Sequence, residues 1–171
     1  MTMLSLPLDR EATDPKLLRQ ALGRFATGVT VITTRAPDGK CEGLTANSFS
    51  AVSLDPPLVL WSLRLASPSL PSFKSSGAFV VNVLSSEQST TSQHFATPRH
   101  DKFEDVAFSE GIGGCPMLDG SLAIFECRTE SMIEGGDHMI FIGRVIQAHY
   151  REGEPLIFAG GRYGTHTPLE D

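Results

Sequence analysis

Two spacings of apolar residues divide this chain into a helical start and a long series of strands. After Asp14-Pro15, which has the form of an N-cap followed by proline at the first helical position, Leu17, Leu18, Ala21, Leu22 and Phe25 recur on one helical face. A helix over residues 15 to 24 is predicted, ended by Thr27-Gly28. The β-branched run VTVITTR (29 to 35) then reads as a strand that turns at Ala36-Pro37-Asp38-Gly39 and returns through CEGLTA as a hairpin. LVLWSL (58 to 63) and AFVVNVL (78 to 84) fit further strands, and the Ser- and Pro-rich segment between them fits a loop holding a short helix.

Ser86 and the acid behind it open a predicted helix over 86 to 96, followed by a loop-like region through Gly120. Beyond it, LAIFECRTESMI (122 to 133) and HMIFIGRVIQAHY (138 to 150) flank Glu134-Gly135-Gly136-Asp137 as the clearest long hairpin, and PLIFAGG adds a short last strand. Many strands on short turns, with only two substantial helices, predict a mainly β fold with α: an antiparallel barrel rather than a βαβ sandwich. The length of 171 residues suits a single domain over 14 to 171 behind an N-terminal extension of residues 1 to 13.

Composition removes several classes of function. The chain is 40% apolar, yet no apolar run approaches the roughly 20 residues of a membrane span. MTMLSLPLDREATD lacks the basic and apolar regions of a secretory signal, so a cytoplasmic location without membrane association is expected. Cys41, Cys115 and Cys127 form an odd set without CxxC spacing, and the five histidines show no close metal pairing, so neither a disulfide framework nor a metal site is predicted. A net charge of −6 argues against a nucleic-acid partner. Residues 43 to 86 depart from that acidity, holding a single acid, Asp55, beside Arg64, Lys74 and 11 serines. That stretch suits an anion.

No GxGxxG lies between a strand and a helix, and neither GxxxxGK[ST] nor GxSxG occurs, which leaves Rossmann, P-loop and nucleophile-elbow chemistry without support. Two local patterns remain. TANSFS (45 to 50) is polar yet uncharged, and EGGDH ends a hairpin before a strong strand. Read alone, the first is a loop and the second a turn with His138 as a strand-end histidine.

Taken in order, FATGVTVITT, GLTANSFSAVSLDPPLVLWSL, Phe95-Ala96 with the later DKF, and EGGDHMIFIGRV resemble the short flavin reductase family from about Asp14 to Tyr163. The resemblance implies an antiparallel split β-barrel with a few flanking helices, forming a homodimer. Such a protein binds FMN or FAD without a Rossmann fold, takes hydride from NADH or NADPH, and supplies reduced flavin to a separate monooxygenase component. Thr45, Ala46, Asn47, Ser48 and Phe49 would line the isoalloxazine, a flat apolar body with acceptors along one edge, so donors without carboxylates suit it. Hydride arrival leaves negative charge on that edge, which preorganised hydrogen bonds stabilise.

By the same resemblance, Ser62, Leu63, Arg64, Ser67 and Ser69 would hold the ribityl and phosphate groups, with Arg64 as a charge-assisted fork. His138 matches the position beside the nicotinamide, and its implied task is orientation, since direct hydride transfer needs no general base. Arg162 and Tyr163 resemble the family's terminal Arg-Tyr, near the flavin or dinucleotide phosphates. Phe95, Ala96 and Lys102 would border the flavin tail or the nicotinamide pocket. Trp61 reads as packing rather than a flavin-stacking ring. Two alternatives stay open: reduction of another acceptor, such as a corrinoid or ferric complex, through bound flavin, and flavin binding without turnover. The residues leave FMN and FAD, and NADH and NADPH, equally open.

Overall fold

A computed structural model describes residues 14 to 169. The opening helix α1 (Pro15–Leu22) is capped by the Asp14 carboxylate, which accepts the Lys16 N–H at 2.8 Å. It stops two residues short of expectation, where the Gly23 N–H closes on the Arg19 carbonyl. Then come β1 (Thr27–Gly28), β2 (Thr30–Arg35), β3 (Cys41–Ala46), β4 (Ser50–Leu54), β5 (Pro57–Arg64), α2 (Leu70–Ser76) and β6 (Ala78–Val83). The second half holds α3 (Ser89–Ala96), β7 (Phe108–Glu110), β8 (Pro116–Leu118), β9 (Ala123–Gly135), β10 (His138–Tyr150), β11 (Ile157–Ala159) and β12 (Arg162–Gly164).

Five of these strands escape the sequence pattern for physical reasons, β1 because its two residues are too few to show a period. β4 is exposed at most positions and serine-bearing, so it lacks apolar alternation. The β7–β8 hairpin has three residues in each arm, too few to show a period. β12 returns from β11 through Gly160-Gly161, whose φ values of +57° and +80° are the pair a type I′ turn demands. The helix expected from Ser86 begins as a 3-10 turn, because the capping box is built by Ser85 and Gln88; regular helix starts at Ser89.

Seven strands make one antiparallel sheet in the order β3-β2-β6-β9-β10-β5-β4. Its two edges, β3 and β4, are neighbours in the chain, joined by residues 47 to 49 alone. Laid flat, the sheet would hold those edges about 29 Å apart at about 4.8 Å per strand. Four residue steps reach at most about 14 Å, so the sheet curls until its edges approach at the TANSFS end. The edges are not paired with each other.

Inside the curl, Val59, Trp61 and Leu63 of β5 meet Ile32, Phe79, Val81, Cys127, Met139 and Phe141, and Phe73 of α2 plugs one side. The outer faces of β2 and β6 are covered as well, by Phe95 of α3, Leu118, Leu156 and Cys115. Burial on both faces explains why VTVITTR and AFVVNVL read as runs rather than alternating patterns. Asn82, fully buried, pins the β7–β8 hairpin to this layer: its amide donates to Val31 O at 3.0 Å and its carbonyl accepts the Leu118 N–H at 2.8 Å. Among the described residues no helix is long and apolar enough to cross a membrane.

Candidate functional site

Where the sheet's edges approach, a cleft of about 690 Å³ opens. One wall is β3 and the start of its connector, with Thr45, Ala46, Asn47 and Ser48; another is the end of β5 and the segment after it, with Ser62, Leu63, Arg64, Ser67 and Ser69. Phe95, Ala96 and Lys102 close the side toward α3, and His138 stands at the rim. Thirteen of the sixteen residues singled out from the sequence therefore share one cavity.

Phe49, Arg162 and Tyr163 do not line it. Phe49 stacks on Phe125 at 5.6 Å against the inner core. Arg162 is exposed on β12, and Tyr163 is half-buried with its ring edge-on to Phe158 at 5.5 Å.

The TANSFS segment is polar because its hydroxyls bind backbone. Ser48 Oγ accepts the Ser62 N–H at 2.9 Å and donates to the Ser62 carbonyl at 3.3 Å, stapling the connector to β5 where no strand ladder joins the edges. Thr45 Oγ1 donates to the Ser92 carbonyl at 2.6 Å. Both hydroxyl protons are thus committed, and toward the cleft these groups offer lone pairs. The donors are elsewhere: the Asn47 side chain and the backbone N–H groups of Asn47 and Ser48 have no acceptor among the described residues.

Arg64, exposed, makes no ion pair among the described residues. Ser69 gives its proton to Glu42 Oε2 at 2.9 Å, and Lys40 pairs with the other Glu42 oxygen at 2.7 Å. Lys40, Arg64, Arg99 and Lys102 set four cationic side chains in the lining against one acid, Glu42, in a chain of net charge −6. Lys40, Glu42, Gly43, Arg99 and His100 were not picked out from the sequence. Their signal was weak: Lys40 and Glu42 lie two apart and so share a strand face, but that spacing is common. A side chain at Gly43 would start 2.8 Å from the Phe95 ring and 3.0 Å from Phe103, so glycine is what lets α3 lie against β3.

Lys102 holds that contact. Its ammonium donates to Phe95 O at 2.7 Å and Gly43 O at 3.1 Å, tying the end of α3 to the cleft wall. Burial pushes the lysine below its ordinary value of 10.5, with the Glu42 charge opposing. A lysine depressed in the fold binds its proton more readily in the unfolded chain. Its charge therefore costs stability at neutral pH, and that cost fades as pH rises through the folded value toward 10.5. The neutral amine keeps two N–H donors, enough for both carbonyls. In urea titrations at increasing alkaline pH, the wild-type chain should gain stability relative to Lys102→Met; a difference that stays flat or falls would contradict the clamp's buried character.

At the rim, His138 opens β10 opposite Arg64 of β5 and Gly135 of β9. The two-residue turn before it uses Gly136 at φ +62°. Nδ1 of His138 lies 2.7 Å from Asp137 Oδ1, and this hydrogen bond holds the Asp137 carboxyl below its usual range. With Nδ1 so engaged, Nε2 is the ring nitrogen left for a ligand. Cys41, also in the lining, is raised by burial, which keeps it a thiol rather than a reactive thiolate.

Residues 22–167 match the family described as flavin reductase like domain. The chain is 45% identical over 146 residues to the FMN reductase (NADH) SmoA of Agrobacterium fabrum, covering 85% of this chain and 83% of that protein. It is 45% identical over 154 residues to the flavin-dependent monooxygenase reductase subunit HsaB of Rhodococcus jostii, covering 90% of this chain and 78% of that one. Among solved structures, the NADH:FAD oxidoreductase SgcE6 of Streptomyces globisporus, in complex with NAD and FAD fragments, superposes with a TM-score of 0.86 at 38% identity, covering 94% of this chain and 99% of that one.

Proposed function

Because the chain belongs to the flavin reductase-like domain family, we propose that it is an NAD(P)H:flavin oxidoreductase, passing hydride to FMN or FAD and delivering the reduced flavin to a separate monooxygenase. The observation that carries this reading is the cleft itself, whose free donors are uncharged amides and whose surrounding charge is cationic. A flavin fits that donor set. Its carbonyls and ring nitrogens would accept from the amides of Asn47 and Ser48, the one carboxylate of the lining, Glu42, is engaged by Ser69 and Lys40, and Leu44, Leu63 and Phe95 would supply apolar contact.

The flavin supplies a ring nitrogen that takes up hydride from the nicotinamide. The chain's part is to bind and orient. Arg64, with Lys40 and Arg99 at the mouth, offers charge to phosphate groups, Arg64 being able to fork two oxygens at once. His138 would hold the nicotinamide at the rim, where its ring is fixed by Asp137. The curled sheet with unjoined edges supports the split-barrel description.

A second copy is the partner that fits the exposed apolar residues Val52 and Leu54 on β4 with Ile133 and Ile146 on β9 and β10. Light scattering should give twice the chain mass, and a monomer would remove the homodimer from this proposal.

The reductase reading is tested anaerobically, by mixing the protein with FMN or FAD, adding NADH or NADPH, and following the flavin's visible absorbance. Rapid bleaching with one pair is expected and identifies both preferred ligands. Flavin that binds and stays yellow would leave a carrier and end the reductase proposal.

A further inference from the structure

We propose that Tyr163 is a positioning residue for flavin, acting on Thr45 through Ser92 without reaching the cleft itself; the inference rests on the cleft being the flavin site. The chain of contacts is continuous. The hydroxyls of Tyr163 and Ser92 are hydrogen-bonded at 2.8 Å, and the Ser92 carbonyl accepts the Thr45 hydroxyl proton at 2.6 Å. Ser92 is fully buried, whereas Thr45 lines the cleft and Tyr163 does not.

α3 lies between the C-terminal strands and β3, and only two of its residues are buried, Ser92 and Phe95. Phe95 fixes how closely the helix approaches β3, through the space left at Gly43. Ser92 is the polar one, and its side chain has Tyr163 as its hydroxyl partner. The direction in which the Ser92 carbonyl points decides where the Thr45 proton goes, and so where the Thr45 lone pairs face. A ring N–H of the flavin is the group those lone pairs can accept from. Without the phenol, the buried Ser92 hydroxyl loses its side-chain hydrogen-bond partner, whichever of the two donates, and the aim of Thr45 loosens.

The experiment is a double-mutant cycle on flavin dissociation constants, measured by fluorescence quenching with FMN and FAD, with thermal unfolding of each variant alongside. Tyr163→Phe should weaken flavin binding about threefold to tenfold, the factor for one neutral hydrogen bond. Thr45→Val should weaken it by a similar factor. In the Thr45→Val background, Tyr163→Phe should add less than about twofold, since the group it aims has gone. Ser92→Ala should behave as Tyr163→Phe does. Additive losses would overturn the relay, because Tyr163 would then act by direct contact or by general loosening. A silent Tyr163→Phe would overturn it too. A silent Thr45→Val would sink the reading of this wall as flavin-binding, and the relay with it, whereas an active Thr45→Val with additive Tyr163→Phe sinks the relay alone.

Discussion

Trp61→Ala should lower the stability of this chain by about 3–5 kcal/mol, the loss typical of emptying a fully buried aromatic site. Trp61 is the only tryptophan, and its side chain is wholly enclosed by the curled sheet. It stacks on Phe141 at 4.7 Å and meets Phe73 and Phe79 edge-on at 4.9 Å and 5.8 Å, so one side chain joins β5, β6, β10 and α2. Its indole N–H has no partner among the described residues, however, and burying such a donor costs about 1–3 kcal/mol. Trp61→Phe keeps the stack and removes the orphan donor, so it should cost less than half the alanine loss. Urea unfolding followed by far-UV circular dichroism measures both, since the fluorescent reporter is itself removed. An alanine variant within about 1 kcal/mol of wild type would mean that the curl is not held together at this point.

The same residue shows what could be read from the chain and what could not. LVLWSL announces a buried strand because its apolar positions are dense, and Trp61 within it reads as packing, where it is found. That β3 and β4 become the two edges of one curled sheet is invisible in any window of sequence, because it follows from pairings among β2, β6, β9, β10 and β5. The cleft lies between those extremes. Residues 45 to 48, 62 to 69 and 138 meet because His138 pairs with Arg64 across the β5–β10 ladder and Ser48 bonds to Ser62. An ordered family pattern carries that information; periodicity does not.

The direction of each hydrogen bond was not legible at all. Thr45, Ser48 and Ser69 read as donors for a ligand, yet their protons go to Ser92, Ser62 and Glu42, at sequence separations of 47, 14 and 27. Only tertiary packing decides such partners. The consequence is chemical: toward the cleft the hydroxyls of Thr45 and Ser48 present lone pairs, and the N–H groups left without an acceptor among the described residues are those of the connector at Asn47 and Ser48.

His138→Ala should lower kcat/KM for the reduced nicotinamide about tenfold to a hundredfold, the range expected when a reacting group is misplaced by an ångström or so. The flavin dissociation constant should stay within about twofold, because His138 stands at the rim, away from the wall formed by residues 45 to 48. Three features fix its ring. Its backbone is laddered to Arg64 and Gly135, Nδ1 is hydrogen-bonded to Asp137, and Asp137 is itself tied by its carbonyl to the Leu65 N–H at 2.9 Å. That leaves Nε2 as the ring nitrogen open to a ligand, the nicotinamide in the proposed reading. His138→Gln, which keeps a polar group of similar reach, should recover part of the loss if the task is orientation, since hydride transfer itself moves no proton through the imidazole. Stopped-flow reduction of bound flavin separates the two constants. An unchanged rate would return His138 to being a strand-end residue. Equal losses in flavin and nicotinamide binding would mean that the hairpin tip shapes the whole cleft rather than its nicotinamide side.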